Sequence, residues 1–570
     1  MDSLLYNMKK ILLFIFVFSS LITFSQTKVP ESQKIERLIQ IWGLLKYHHP
    51  EISKGKLNWN QEFITLYDKI EKIETNEQLN QELLSWITGF ESESTKKLYK
   101  KKVYDQQKLF TKNYDYSWIE TSNFNPILIS KLHQIRENSN YGDFYASIDK
   151  LNNFINFKND KGFDSFNYRI KSHRILFLAS FWNVMKYWNV NIYLTDEPWS
   201  EVLKNLQLDF INADTEEKFE FAKMKLFSKL NDSHSDYFND YIFKNVYNRF
   251  ASFGGKLIND SLVVTTLHSK SLAGKDNIKL KDVIYEIENK SVKDYFYEKF
   301  KDFGSTSNLN NARNIYSYYW LLSSNKDSMH VKFISADKKI ESKYVKLYEY
   351  ETYKPEEKEN ISIPKQETFY ELNTDIGFIN LGKISKKELK TAFYSFANKK
   401  GIIIDLRNYP TKVNEDDIAK YLYPKKKIFV KILAPSKPSL GNYDMQAPLK
   451  FLKNPFAAGS KNRKYFKGKI VLMVNRSTGS RAEYFAMLIQ QSPNCTAIGE
   501  QTFGAIMNRI EITLSDKTTI DFTGMGAFYP NDIGVQRNGI KIDYEVKESA
   551  KNYNPNQYIE EAIKIINQQF

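Results

Sequence analysis

Between residues 376 and 499 short apolar runs alternate with stretches of helical spacing, and this alternation constrains the fold more than any other feature of the chain. Ile376-Gly377-Phe378-Ile379-Asn380-Leu381 reads as a strand and Lys386 to Ala397 as a helix. Gly401-Ile402-Ile403-Ile404-Asp405-Leu406 reads as a buried strand, and Glu415 to Tyr423 as a helix. The strand Lys469-Ile470-Val471-Leu472-Met473-Val474, a helical stretch from Ala482 to Leu488 and the strand Thr496-Ala497-Ile498-Gly499 complete the series. Strands separated by helices predict an α/β layer around a mostly parallel sheet. Ligands in such sheets gather beyond the carboxyl ends of the strands. The turn at Arg407-Asn408 and the turn Asn475-Arg476-Ser477-Thr478-Gly479-Ser480-Arg481-Ala482-Glu483 both lie there.

Ser480 occupies a tight strand-to-helix turn, with the unpaired N–H groups of a helix start beside it. Nucleophilic attack on a carbonyl needs that arrangement. Taken alone, the run also fits a turn whose Thr, Gly and Ser only cap a helix.

The chain has 570 residues, which predicts roughly three to four domains. Its 42% apolar and 15% aromatic residues fit packed cores and exclude a disordered chain. The formal charge of +15 is spread along the whole length. Without a basic block interleaved with aromatics, a zinc-finger spacing or a Gly-rich phosphate loop, no nucleic-acid partner is expected. Lys9-Lys10, the apolar run Ile11 to Ile22 and Thr23-Phe24-Ser25 have the layout of an export signal over residues 1–25. That apolar run is short for a membrane span of ~20 residues. The mature protein is therefore expected in the periplasm or outside the cell, with no stable membrane insertion. Cys495 is the single cysteine, which excludes an internal disulfide and a Cys-rich metal site. No metal or organic cofactor is expected.

Residues 26–245 read as mostly helical, divided into an extension (26–150) and a second helical region (151–245). Arg37 to Tyr47 resembles Arg174 to Tyr187, and each is followed by a stretch carrying a Trp, Trp59 and Trp199, as in a duplicated unit. Residues 246–350 are β-rich. Ile278 to Val292 reads as turn, strand, tight turn and short strand, followed by a helical segment from Lys293 to Phe303. This order resembles a PDZ domain, with Lys281-Asp282 and Asn289-Lys290 at its usual turn positions. Such domains take peptide ends by strand addition. Phe253, Gly254, Gly255 and Lys256 are the candidate loop for a terminal carboxylate, or an ordinary hairpin loop. Residues 351–366, with Pro355 and Pro364, read as a linker, and 367–560 as the α/β core.

A nucleophilic serine needs a base. Of the seven histidines, His48 and His49 end a helix and suggest packing or capping, and His133, His173, His268 and His330 have no notable neighbours. His234 lies in the polar run Asn231-Asp232-Ser233-His234-Ser235-Asp236, among groups able to orient an imidazole. An exposed helix cap is the alternative.

These residues carry a family resemblance. Thr478 to Glu483, then Ile498-Gly499-Glu500-Gln501-Thr502-Phe503-Gly504, then Gly539-Ile540-Lys541-Ile542-Asp543, are similar to the ordered signature of the tail-specific (C-terminal processing) and tricorn-core serine peptidases. Gly401 to Asn408 and Asp232-Ser233-His234 match two further motifs. The resemblance covers about residues 170 to 550. It implies a multidomain α+β chain: a helical region, a PDZ-like domain and a ClpP/crotonase-like α/β core. The family's tail-specific members place a Lys where this chain has Ala505, which cannot accept a proton. The match is therefore to the tricorn-like branch, with Ser480 as nucleophile, His234 as base and Ser233 orienting the imidazole. The distant Glu of that branch falls near Gln536, which can hydrogen-bond but carries no charge; Asp532 and Asp232 are the substitutes. The glycines that usually form the oxyanion hole are replaced by Asn408-Tyr409-Pro410, and Pro410 has no N–H. The Arg481 N–H with Tyr409 or Asn408 are the remaining donors.

The resemblance implies an exported serine endopeptidase acting on peptides or unfolded protein through an acyl-enzyme, its PDZ-like domain engaging substrate. The alternative is a weakly active or inactive binding protein of the same fold, holding a peptide or a lipid.

Overall fold

The structure, a computed structural model, describes residues 28–100, 109–113, 115–149, 154–235, 237, 239–361, 367–435, 443–445 and 456–568. The expected export signal and residues 362–366 of the expected linker lie outside these. No helix among the described residues is long and apolar enough to cross a membrane.

The helical region is built from two copies of one unit. Helices Glu31–His48, Trp59–Ile70 and Asn76–Gly89 recur as Lys171–Trp188, Trp199–Ile211 and Glu216–Ser228. Every start moves by the same 140 positions: 31 to 171, 59 to 199, 76 to 216. Each copy is pinned by a reciprocal tryptophan pair. The Trp42 indole donates to the Trp59 carbonyl (2.9 Å) and the Trp59 indole to the Trp42 carbonyl (3.1 Å). Trp182 and Trp199 repeat this at 2.8 and 3.0 Å. Thr75 and Thr215 cap the third helix of each copy by accepting the N–H three residues on.

The copies pack through their first helices. Asn183 Nδ2 donates to the Ile39 carbonyl (2.9 Å), and a Cβ added at Gly43 would lie 1.8 Å from Asn183 Oδ1. One apolar cluster runs from Val29 to Leu230. The division expected near residue 150 therefore does not separate two cores: the 26–150 stretch shares its interior with the region that carries His234.

The same cluster contains Ile510, Ile512, Leu514, Ile520 and Phe522. These come from a hairpin, Arg509–Thr513 with Thr519–Thr523, that belongs in sequence to the α/β part. Alternate residues of its first strand are apolar and buried, so one face is inserted among the helices. Lys223 Nζ meets Asp516 Oδ2 (3.0 Å), and the Phe163 N–H donates to the Ser515 carbonyl (2.8 Å).

Residues 249–349 form the β-rich unit. Strands Phe253–Ile258, Ser261–Leu267, Val283–Ile287, Ser328–Ile334 and Ile340–Glu349 surround a core that helices Val292–Phe300 and Leu309–Ser317 close. The left-handed residues of its tight turn are Glu288 (φ 48°) and Asn289 (φ 62°), one position earlier than the expected Asn289-Lys290. Part of the expected linker is ordered against this unit, since Glu359–Asn360 pairs antiparallel with Ser261–Leu267.

The α/β part follows the predicted alternation. Strands Phe369–Glu371, Ile376–Asn380, Gly401–Asp405, Lys469–Val474, Cys495–Gly499 and Tyr544–Glu545 lie in that order; the first pair is antiparallel and the rest are parallel. Ile402, Ile404, Ile470 and Leu472 face one apolar layer. Ile403, Val471 and Met473 face another, closed by Tyr558, Ala562 and Ile565 of helix Gln557–Asn567. Burial on both faces explains why these strands read as continuous apolar runs.

Candidate active site

Ser480 sits between strand Lys469–Val474 and helix Arg481–Ile489 with φ 53° and ψ −119°. A non-glycine residue at such a φ is strained by about 1–3 kcal/mol and persists only where its surroundings fix it. Here they do. The Ser480 N–H donates to the Ala505 carbonyl (2.9 Å) and to Glu483 Oε2 (3.2 Å). Thr478 Oγ1 donates to the Leu406 carbonyl (3.0 Å) and accepts the Asn475 N–H (3.0 Å). Gly479 is required by packing, because an added Cβ would lie 2.5 Å from the Phe503 ring. Glu483 is buried under the turn, where its Oε1 accepts from Thr502 Oγ1 (2.6 Å) and the Gly504 N–H (2.8 Å). Burial pushes its carboxyl up to about 7, although these donors pull the other way. The quoted signature contains Glu483, but residue types alone did not reveal that it anchors the turn.

His234 faces the same cavity of about 500 Å³ as Ser480. Its loop follows helix Glu216–Ser228 of the second repeat and is held by the β-rich unit. The Asp232 N–H donates to Ser305 Oγ (2.8 Å), the Ser233 N–H to Ser307 Oγ (2.9 Å), and the Ser307 N–H back to Ser233 Oγ (2.7 Å). Asn308 Nδ2 ties that unit to the core through the carbonyls of Thr502 (2.9 Å) and Arg537 (3.1 Å).

The imidazole is oriented by a residue the sequence did not single out. His234 Nδ1 is 2.8 Å from Thr523 Oγ1, and that hydroxyl donates to Asp232 Oδ1 at 2.8 Å. The hydroxyl proton is thus engaged, so Thr523 accepts from Nδ1–H, and Nε2 carries the free lone pair. Nε2 is buried, has no hydrogen-bond partner among the described residues, and forms no hydrogen bond with Ser480. Desolvation holds His234 below its ordinary value, against the raising effect of Asp232, so the ring is neutral at rest. Among the residues lining the cavity it is the one suited to accept a proton at neutral pH.

Two expected roles change. Ser233 does not orient the imidazole, because its hydroxyl donates to Asn311 Oδ1 (2.6 Å) and accepts from Ser307. Gln536 does not reach the ring; its Oε1 accepts the Ile506 N–H (3.2 Å) and its Nε2 donates to Asp232 Oδ1 (3.1 Å). Of the two charge candidates, Asp232 is buried beside the ring, while Asp532 is exposed and paired with Lys431 (2.7 Å).

Of the expected oxyanion donors, the Arg481 N–H opens its helix and has no acceptor among the described residues, while its guanidinium turns away to the Val413 carbonyl (3.0 Å). Tyr409 lines the cavity; Asn408 is exposed and does not.

Phe253-Gly254-Gly255-Lys256 is not an open loop. It lies in strand Phe253–Ile258, paired with Ser261–Leu267 and bulged between the glycines. A Cβ at Gly254 would meet the Tyr318 carbonyl at 1.9 Å, so the glycines serve close packing. The Lys256 ammonium pairs with Glu548 and is 3.5 Å from Glu500. It has no spare charge for a peptide terminus.

Residues 375–546 match the model described as Peptidase family S41. Over that stretch the chain is similar to the family. The S41 match includes Ser480 but not His234, which lies upstream of it. Over 198 residues the chain is 29% identical to the carboxy-terminal processing protease CtpA of Bacillus subtilis (strain 168), covering 33% of this chain and 40% of that relative. The chain thus spans less than half the length of the curated relative it matches. In fold it is similar to mature CPAF complexed with lactacystin, at TM-score 0.52 and 11% identity, over 68% of this chain and 96% of that one. Mature CPAF alone gives the same score and identity. At that identity the likeness is one of fold beyond the S41 stretch.

Proposed function

We propose that this chain is a serine peptidase of the Ser–His kind. The observation that carries the reading is the meeting of two prepared groups on one cavity. One is a strained, fixed serine at a helix start; the other is a buried neutral histidine with a free Nε2. His234 Nε2 takes the Ser480 proton as Oγ bonds to the substrate carbonyl carbon and the carbonyl electron pair moves onto oxygen. The Arg481 N–H lies where a helix start would hold that oxygen. Collapse breaks the C–N bond and His234 returns the proton to the leaving amine. Water then repeats the sequence on the acyl-enzyme.

The other reading, a protein that holds a chain without cutting it, is favoured by the missing Ser480–His234 hydrogen bond. Catalytic hydrogen bonds are often long before substrate binds, so that gap alone does not decide. Labelling by a serine-directed fluorophosphonate separates the two. The parent is expected to be labelled and Ser480→Ala not; an unlabelled parent sinks the peptidase reading.

The β-rich unit engages substrate through Phe303, Tyr316 and Trp320, which line the cavity with Met224 and Ile242, rather than through Phe253 to Lys256. Peptides with large apolar side chains next to the cut bond are expected to show higher kcat/KM than acidic ones, and Trp320→Ala to reduce that preference by roughly 10-fold, as for about 1–3 kcal/mol of pocket contact. A set of peptides varied at one position measures this. Burial of His234 also sets the pH profile. The working base is the neutral ring, and a lowered value keeps it neutral further into acid. The acid limb of kcat/KM is therefore expected to have its midpoint below 6.5, the ordinary histidine value; a midpoint above 7 would contradict the burial argument. Export to the periplasm or beyond rests on the layout of residues 1–25.

A further inference from the structure

We propose that Thr523 is a positioning residue of this site, coupling the carboxylate of Asp232 to the His234 imidazole through its hydroxyl. The inference rests on the reading of Ser480 and His234 as the reacting pair. Thr523 is fully buried at the end of the hairpin that inserts among the helices. Its Oγ1 accepts from His234 Nδ1 and donates to Asp232 Oδ1, both at 2.8 Å. Its own N–H donates to Asp232 Oδ2 at 2.6 Å, so one residue holds both oxygens of that carboxylate.

Asp232 also accepts from the His234 N–H (3.1 Å) and from Gln536 Nε2 (3.1 Å). The Gln536 amide cannot be reversed without cost, because its Oε1 holds the Ile506 N–H. A Glu at 536 would set a second carboxylate against Asp232 in the same buried space, an arrangement that two like charges resist. The site therefore has room for one negative charge behind the ring, and it sits on Asp232. The glutamine at 536 is then the partner that charge requires.

When Ser480 gives its proton to Nε2, the ring gains a positive charge. The Nδ1 proton stays on the ring, the Thr523 hydroxyl stays turned toward Asp232, and the aligned dipole and carboxylate stabilise the cation. No proton passes along the chain of bonds. The other charged groups near His234 are Arg509 and Asp521 of the same hairpin, which pair with each other.

The test compares Thr523→Val, Thr523→Ser and Ser480→Ala in the full chain. Val keeps the shape and loses the hydroxyl. Its kcat is expected to fall by about 10²–10⁴-fold with KM little changed, by analogy with loss of an orienting acid or a buried donor. Its acid limb should also move to lower pH, since the protonated ring has lost its support. Thr523→Ser, which restores the hydroxyl, should stay within about 10-fold of the parent, on the scale of one hydrogen bond retained. Unchanged kcat and pH limb in Thr523→Val, with Ser480→Ala inactive, would overturn this inference and leave the peptidase reading standing. Activity persisting in Ser480→Ala would overturn the peptidase reading itself. Nitrogen-15 NMR of the histidines in the parent needs no variant to fold: the neutral His234 ring is expected to be protonated at Nδ1, and a ring protonated at Nε2 would refute the proposal.

Discussion

Replacing Ser480 by Ala is expected to lower kcat/KM for hydrolysis of an unfolded protein or a peptide by roughly 10⁴–10⁶-fold, with His234→Ala close to it and the double variant no worse than either. In the proposed mechanism the two residues act in one step, the transfer of the Ser480 proton to Nε2, so removing either removes the step and the losses do not add. The size follows from what remains. A hydroxyl without its base is a poor nucleophile, and Ala505, where the lysine-using relatives place theirs, holds the Ser480 N–H through its carbonyl and accepts no proton. Both variants should fold as the parent does. Ser480 is held by its backbone to Ala505 and Glu483, and His234 is tied into its loop by its own N–H to Asp232. Steady-state rates beside circular dichroism check this. If both variants matched the parent in rate, the assignment of the reacting pair would fail.

How much of this site was legible in the sequence depended on how local each signal is. The strand, turn and helix around Ser480 lie within a few residues of one another, so apolar runs and turn residues predicted them. The alternation from 376 to 499 predicted the parallel sheet for the same reason. His234 was reachable through its polar run and the ordered motifs. Thr523 was not. It ends a strand of ordinary alternation, Thr519-Ile520-Asp521-Phe522-Thr523, and meets His234 and Asp232 only because Ile520 and Phe522 insert that strand among the helices. Ser233 failed as an orienting group for a related reason. Its neighbour in space, the Ser307–Asn311 segment, lies in another unit, and no local pattern announces that its hydroxyl is already engaged there. Phe253 to Lys256 misled because glycines in a strand that permit close approach look, in sequence, like glycines in a binding loop.

The other large expected effect concerns stability. Trp182→Ala is expected to cost about 3–5 kcal/mol, the range for truncating a large buried aromatic, and Trp42→Ala a similar amount. Trp182 is 1% exposed and Trp42 is fully buried. Each also leaves a partner indole, Trp199 or Trp59, with its hydrogen bond to a carbonyl disturbed. The informative comparison is between the copies. Only the second repeat leads into His234, yet both repeats and the hairpin that carries Thr523 share one apolar cluster. If that cluster unfolds as one cooperative unit, Trp42→Ala must lower the denaturant midpoint for loss of activity as much as Trp182→Ala does, although Trp42 is not among the residues of the cavity. Urea titrations followed in parallel by circular dichroism and by peptide hydrolysis measure both midpoints. A Trp42→Ala protein whose first repeat melts early while hydrolysis persists would show that the first copy is a separate domain. Coincident midpoints would show that the duplication supplies the half of the core against which His234 is held.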